Sequence, residues 1–337
     1  MSPAWQAQRL AARPTAQLWR IALGVLVIGT TYFLWMVATG VALWLVLGSA
    51  GFESELARIG AGADPGALVL LLSTFLGGWL GVWLTLRLLH RRPLGAALGR
   101  APVVLRDFVT GILAMVLVGG GLTLAMAPMM PALVLTPDLA EWLWFLPLAL
   151  VGVLIQTGAE EAVFRGYLQQ HLAARFASPL VWLGGPTVLF GLAHFNPEGA
   201  GGNVWLVVAA TGLFGLIAGD LTARSGSLGL AWGLHFANNV LALLVVSVSG
   251  TLDGMALLHL PDGVLTEDVL RPLLLADMVL MVAVWMLQRR IGDAGIVDVG
   301  DIQQPRVLRL GAAHLISGIT FQTIRTQPVM RHRDQVR

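Results

Sequence analysis

The side chains of this sequence that could do chemistry fall into three short stretches. In EEAVFR, residues 160–165, two glutamates and an arginine follow eighteen uncharged residues, Trp142 to Ala159. In FGLAH, Phe190 and His194 stand four apart, and in HFANN so do His235 and Asn239. A step of four on a helix puts both members of a pair on one face, so Glu161 and Arg165 are expected to form an ion pair. Glu160 is turned about 100° from Glu161, which leaves the two carboxylates free for different jobs. Each stretch also has a plain reading. The Glu–Arg pair fits a helix end emerging into water, His194 fits a packed interfacial ring, and His235 with Asn239 fits hydrogen-bonding glue between helices. Together they read otherwise. A carboxylate and a histidine can activate water, and a His–Asn pair can donate hydrogen bonds to an oxyanion. These are the parts needed to hydrolyse an amide without serine, cysteine or metal.

The elements that position these groups must lie in lipid. Of 337 residues, 56% are hydrophobic and 12% charged, against about 25% charged in a soluble domain. Cysteine is absent, which removes disulfides, thiol nucleophiles and cysteine-held metals. All 21 basic residues are arginine, and they lie in loops and tails between apolar runs. That arrangement fits topology determinants rather than a nucleic-acid surface, so no nucleic-acid partner is expected. The run from Ile21 to Ala50 exceeds the roughly 7–15 apolar residues of a cleavable signal, so it is expected to be a retained span.

A span needs about 20 apolar residues. Eight charge-poor runs qualify or come near, at roughly 19–48, 66–88, 108–130, 140–159, 180–195, 203–221, 227–249 and 269–288. The expected fold is all-α, a polytopic membrane helical bundle of about eight transmembrane helices with no internal repeat. The fifth run is short and carries Pro186 beside Gly184 and Gly185; the fourth continues as a polar helical extension through Gln169, Gln170, His171 and Arg175. Four regions follow: N-terminal helices at 1–140, a core at 141–250, a last helix at 251–290 and a tail at 291–337.

Arginines cluster before the first span, between the second and third, and after the fourth, sixth and eighth, whereas the alternate loops hold mostly Asp and Glu. The positive-inside rule then places both termini in the cytoplasm, with residues 160–165 at the cytoplasmic end of the fourth span. Asp277, within the eighth run, is expected to stay hydrated near the outer surface. The cost of Glu160, Glu161 and Arg165 is explained if they face a water-filled cavity open to the cytoplasm.

The three motifs, in this order and at these separations, resemble those of the CPBP intramembrane proteases. That family includes the type II CAAX prenyl endopeptidases and the bacterial Abi proteins. EEAVFRG matches EExxxR, FGLAH matches FxxxH and HFANN matches HxxxN, over about residues 145–245. The resemblance implies that Glu160 and His194 position and activate the attacking water. His235 and Asn239 would form the oxyanion hole, with Glu161 and Arg165 in support. The implied function is an intramembrane endopeptidase at the inner (plasma) membrane, acting on a peptide or membrane-protein substrate from within the lipid bilayer.

Three rival readings share these features. A bacteriocin-immunity or scaffold protein of the same family would keep the fold without proteolysis. A transporter also buries charge at mid-membrane, but usually through inverted repeats. No cofactor is expected; zinc held by Glu and the two histidines is the alternative. There is no HExxH to place two histidines on one helix, and the GSLG at 226–229 lacks the spacing of a GxSG serine motif.

Overall fold

In the computed structural model, residues 1–126, 133–136, 138–248, 252–260 and 267–293 are described. The chain opens with α1 (Pro3–Ala12), an amphipathic helix started by Ser2, whose hydroxyl accepts from Trp5 N–H at 3.1 Å. A capping hydroxyl and a proline at the first helical position both favour a helix start there. Trp5 is fully buried against Trp182, Ala173 and Ala223, so α1 is docked on the rest of the protein.

The first apolar run is α2 (Leu18–Ala61), longer than expected. Its expected end near 48 coincides with a break at Gly48, φ 70°, after which the helix resumes. This left-handed conformation is costly for any residue with a side chain. The second run divides into α3 (Pro65–Ser73), capped by Asp64, and α4 (Leu76–Leu88), which packs along α2. A short α5 (Gly95–Leu98) leads into α6 (Ala101–Met126). The fourth run is α7 (Leu139–Glu161), which continues through a π-helical stretch, Ala162–Gln169, into α8 (Gln170–Arg175). The expected polar extension is therefore helical, but Gln169, Gln170 and His171 are buried, because α1 and α5 close over this stretch.

The short fifth run is a π-helical turn, Leu180–Gly184, followed by α9 (Gly185–Leu192). After α10 (Pro197–Ala200) comes α11 (Val204–Ser225), against which α9 packs. The seventh run is shorter than expected. Helix α12 (Gly229–Val240) continues in π form to Val245, and Val246–Val248 then form strand β2. Valine suits the extended backbone, and β2 pairs in parallel with β3 (Leu258–Leu260), which pairs antiparallel with β1 (Val134–Leu135). The last helix is α13 (Glu267–Asp293); the tail expected after it lies outside the described residues. Asp277 in α13 is half-buried, with no ion pair to a basic side chain among the described residues.

Among the described residues, six helical stretches are thus long and apolar enough to cross a membrane, with two shorter apolar helices, Leu180–Leu192 and Gly229–Val245. The architecture is an all-α polytopic bundle. Helix α12 lies among α6, α7 and α11. It reaches α6 closely because Gly229 and Gly233 lack side chains; a Cβ at either would meet the carbonyl oxygen of Val104 or Phe108. Small residues that let helix backbones approach are the usual device for packing in lipid. On α7, Gly158 does the same beneath the rings of Trp79 and Trp232. These contacts set α7 and α12 side by side at the depth of Glu160 and His235.

Candidate active site

Glu161 is fully buried and tightly held. One of its oxygens, Oε1, accepts from Arg165 Nη1 at 3.1 Å and pairs with His235 Nδ1 at 2.9 Å. Arg165 is 1% exposed and enclosed by aromatic faces, with Cζ 4.4 Å from the Phe190 ring, 5.5 Å from Phe214 and 5.9 Å from Phe164. The ion pair expected from the sequence is therefore present, but in the core rather than at a wet helix end. Rings around a guanidinium supply cation–π attraction where water is missing. The π-helical stretch begins at the residue after Glu161, and such widened turns often occur at functional sites.

Glu160 sits differently. Its side chain keeps 16% exposure, against none for Glu161. Oε1 accepts from Gln156 Nε2 at 2.7 Å, while Oε2 lies 3.6 Å from His235 Nε2, beyond ordinary hydrogen-bond distance. Oε2 is buried and has no hydrogen-bond partner, as is true of Glu161 Oε2 and Arg165 Nη2. Unmatched atoms on charged groups are the costly exception in a folded interior.

His235 is a buried bridge between the two carboxylates, one at each ring nitrogen. A carboxylate only accepts, so the Nδ1 that pairs with Glu161 carries the proton. Nε2 can then donate only from the doubly protonated ring. Phe214 packs 4.8 Å from this ring, centre to centre, and Phe190 6.1 Å. Asn239, one turn further along α12, donates from Nδ2 to Gln156 Oε1 at 2.9 Å and is half-buried.

His194 lies just past the end of α9, half-buried, with Nδ1 against the carbonyl of Phe190 at 2.8 Å. Its ring is 4.8 Å from that of Phe190, which also contacts His235 and Arg165. Five of the six residues singled out in the sequence, Glu160, Glu161, Arg165, His235 and Asn239, join one polar network, whose two hydrogen-bonded halves meet where His235 Nε2 comes within 3.6 Å of Glu160 Oε2. His194 makes no hydrogen bond to that network among the described residues and meets it through the shared Phe190 wall. The network also contains Gln156, which the motif reading did not single out. Its signal was an amide in an otherwise uncharged run, one helical turn before Glu160.

Among the described residues, no group of three or more His, Cys, Asp or Glu side chains is arranged to hold a metal ion. His235 Nδ1 pairs with the Glu161 carboxylate, while Nε2 lies 3.6 Å from Glu160 Oε2 without a hydrogen bond.

Residues 142–241 match the family model described as type II CAAX prenyl endopeptidase Rce1-like. The chain is also 31% identical over 187 residues to "Uncharacterized protein YyaK" of Bacillus subtilis (strain 168). That similarity covers 52% of this chain, which spans 59% of the length of the relative. No solved structure matches. The matched segment runs from α7 to the start of the π-helical end of α12, and so contains all six residues singled out in the sequence. The resemblance carried by the three motifs is thus found independently: residues 142–241 of this multi-pass membrane protein are similar to the type II CAAX prenyl endopeptidase Rce1-like proteins.

Proposed function

We propose that the protein is an intramembrane endopeptidase that hydrolyses a peptide bond with water activated by Glu160. The observation that carries this reading is the contrast within the glutamate pair. Glu161 is sealed and held by Arg165 and His235, whereas Glu160 keeps 16% side-chain exposure, with Oε2 3.6 Å from an imidazole and, among the described residues, no arginine paired to it. A general base needs such an oxygen within reach of water.

In the proposed step, Glu160 takes a proton from water and the resulting hydroxide attacks the carbonyl carbon. The oxyanion so formed accepts hydrogen bonds from Asn239 Nδ2 and from His235 Nε2. His235 donates as an imidazolium, and Arg165 with this imidazolium then balances the two carboxylates, giving the site no net charge. When the carbon–nitrogen bond breaks, the proton held by Glu160 passes to the leaving amine. His194 shares the positioning of the water. The substrate is a peptide or membrane protein, the site opens to the cytoplasm, and both termini are cytoplasmic, as the alternation of arginine and acidic loops supports. The membrane is the inner (plasma) membrane.

The reaction is proposed without a metal. Extensive dialysis against a chelator should leave cleavage unchanged; loss of cleavage that added zinc restores would overturn this point. The reading as a whole is tested by comparing the termini of membrane proteins from cells carrying the wild type or Glu160→Gln. At least one membrane peptide should accumulate uncut in the variant. Identical profiles, with the variant present at normal level, would favour a non-catalytic scaffold or immunity role instead.

A further inference from the structure

Gln156 stands one turn before Glu160 on α7 and is 8% exposed. It is the link between that glutamate and the facing helix: Nε2 donates to Glu160 Oε1 at 2.7 Å, and Oε1 accepts from Asn239 Nδ2 at 2.9 Å. Chemistry fixes the sense of both bonds. An ionised carboxylate can only accept, so Gln156 must turn its NH₂ to Glu160 and its carbonyl to Asn239. The carbonyl can only accept in turn, so Asn239 must present its own NH₂. One amide thereby sets the orientation of two groups on two helices.

We infer that Gln156 is a positioning residue of the site, one that assigns separate tasks to the oxygens of Glu160 and the hydrogens of Asn239. The inference rests on the hydrolytic reading above. With Oε1 of Glu160 bound, Oε2 is the oxygen left to take a proton. With one hydrogen of the Asn239 amide bound, the other is left for an oxyanion. Without Gln156 the Asn239 amide is free to flip and present its carbonyl, which would repel an oxyanion, and the Glu160 carboxylate is free to rotate. A buried amide could instead serve only to join α7 to α12. The two roles differ in what they change: joining affects stability, whereas positioning affects turnover at constant stability.

The test uses the full-length protein in detergent. Its probe is the membrane peptide left uncut by Glu160→Gln, resynthesised with a fluorophore and a quencher. Gln156→Met keeps length and volume but removes both hydrogen bonds. It should melt close to wild type, lower kcat about 100-fold, as expected for misplaced reacting groups, and leave KM within about twofold. Combined with Asn239→Ala, it should slow cleavage by much less than the product of the two single effects, because both act through one group. Should Gln156→Met fail to fold, Gln156→Ala decides, since it too removes both hydrogen bonds but introduces no bulk; it should fold and cleave slowly. Wild-type kcat in the folded Gln156 variant, with Glu160→Gln inactive, would overturn the inference and leave the hydrolytic reading standing. So would a loss of activity matched by a loss of folded protein. Absence of any uncut peptide, or full activity in Glu160→Gln, would remove the hydrolytic reading and this role with it.

Discussion

Two buried polar clusters hang on the same stretch of chain, a few residues apart, and they differ in kind. The first is the network of Gln156, Glu160, Glu161, Arg165, His235 and Asn239. The second joins Tyr167 and His171 to His90, in the turn after α4. There His90 Nε2 meets the Tyr167 hydroxyl at 3.2 Å, His90 Nδ1 meets Thr15 Oγ1 at 3.2 Å, and His171 Nδ1 donates to the Tyr167 carbonyl at 2.7 Å. The Tyr167 hydroxyl also lies 3.2 Å from the carbonyl of Ile21. This second cluster holds no carboxylate, and His171 Nε2 alone among its members has a buried atom without a partner. The first holds two carboxylates and a guanidinium, each with an unmatched buried atom. Both are polar and out of solvent, so burial of polar groups does not by itself mark a site. The unmatched charge of the first cluster is what supports the proposed reading, because such charge is costly to keep for packing alone. The second cluster fastens α2 and the turn after α4 to the core; the first is the one the proposed hydrolysis uses.

If that contrast is right, substitutions in the two clusters must fail in different ways. The largest effect is expected at Glu160. Glu160→Gln keeps size and removes proton acceptance, so cleavage should fall about 10²–10⁴-fold with the melting temperature little changed. Glu161→Gln should do the reverse. It leaves Arg165 buried without its anion, a loss of about 3–5 kcal/mol for a desolvated pair, seen as a lower denaturation midpoint with partial activity retained. Asn239→Ala should slow turnover about 10²–10³-fold if it supplies an oxyanion donor, with KM nearly unchanged in steady-state kinetics.

The smallest effect belongs to the second cluster. Burial, reinforced by Arg92 and Arg20, lowers the pKa of His90 from 6.5 to about 4. The folded protein therefore keeps this ring neutral where the unfolded chain would protonate it. The stability it contributes is complete above about pH 6.5 and is lost progressively as pH falls toward 4. Melting temperatures measured across that window should fall less steeply for His90→Gln than for wild type. An unchanged slope would mean that His90 is no part of the pH response.

Much of the site was legible in the sequence because its motifs are local. Pairs four residues apart must share a helical face, so the Glu161–Arg165 pair and the grouping of His235 with Asn239 required only helix geometry. The bundle was legible for a similar reason, since uncharged runs of span length have few other uses. Burial was harder to read. Gln169, Gln170 and His171 look like a wet extension, yet α1 and α5 cover them, and that packing depends on contacts distant in sequence. The shortening of the seventh run was hidden because Val245, Val246 and Val248 are as apolar as a helix in lipid would require. Gln156 was passed over because an isolated amide carries no motif; only the approach of α12 shows what it touches.

The most direct test places Glu160→Gln and Glu161→Gln side by side in detergent, with thermal stability and cleavage of the accumulating membrane peptide measured on the same preparations. Glu160→Gln should be as stable as wild type and inactive, and Glu161→Gln should be less stable and partly active. Equal stability and equal activity in both variants would mean that the reaction lies elsewhere in the molecule, or that the protein does not cut peptides at all.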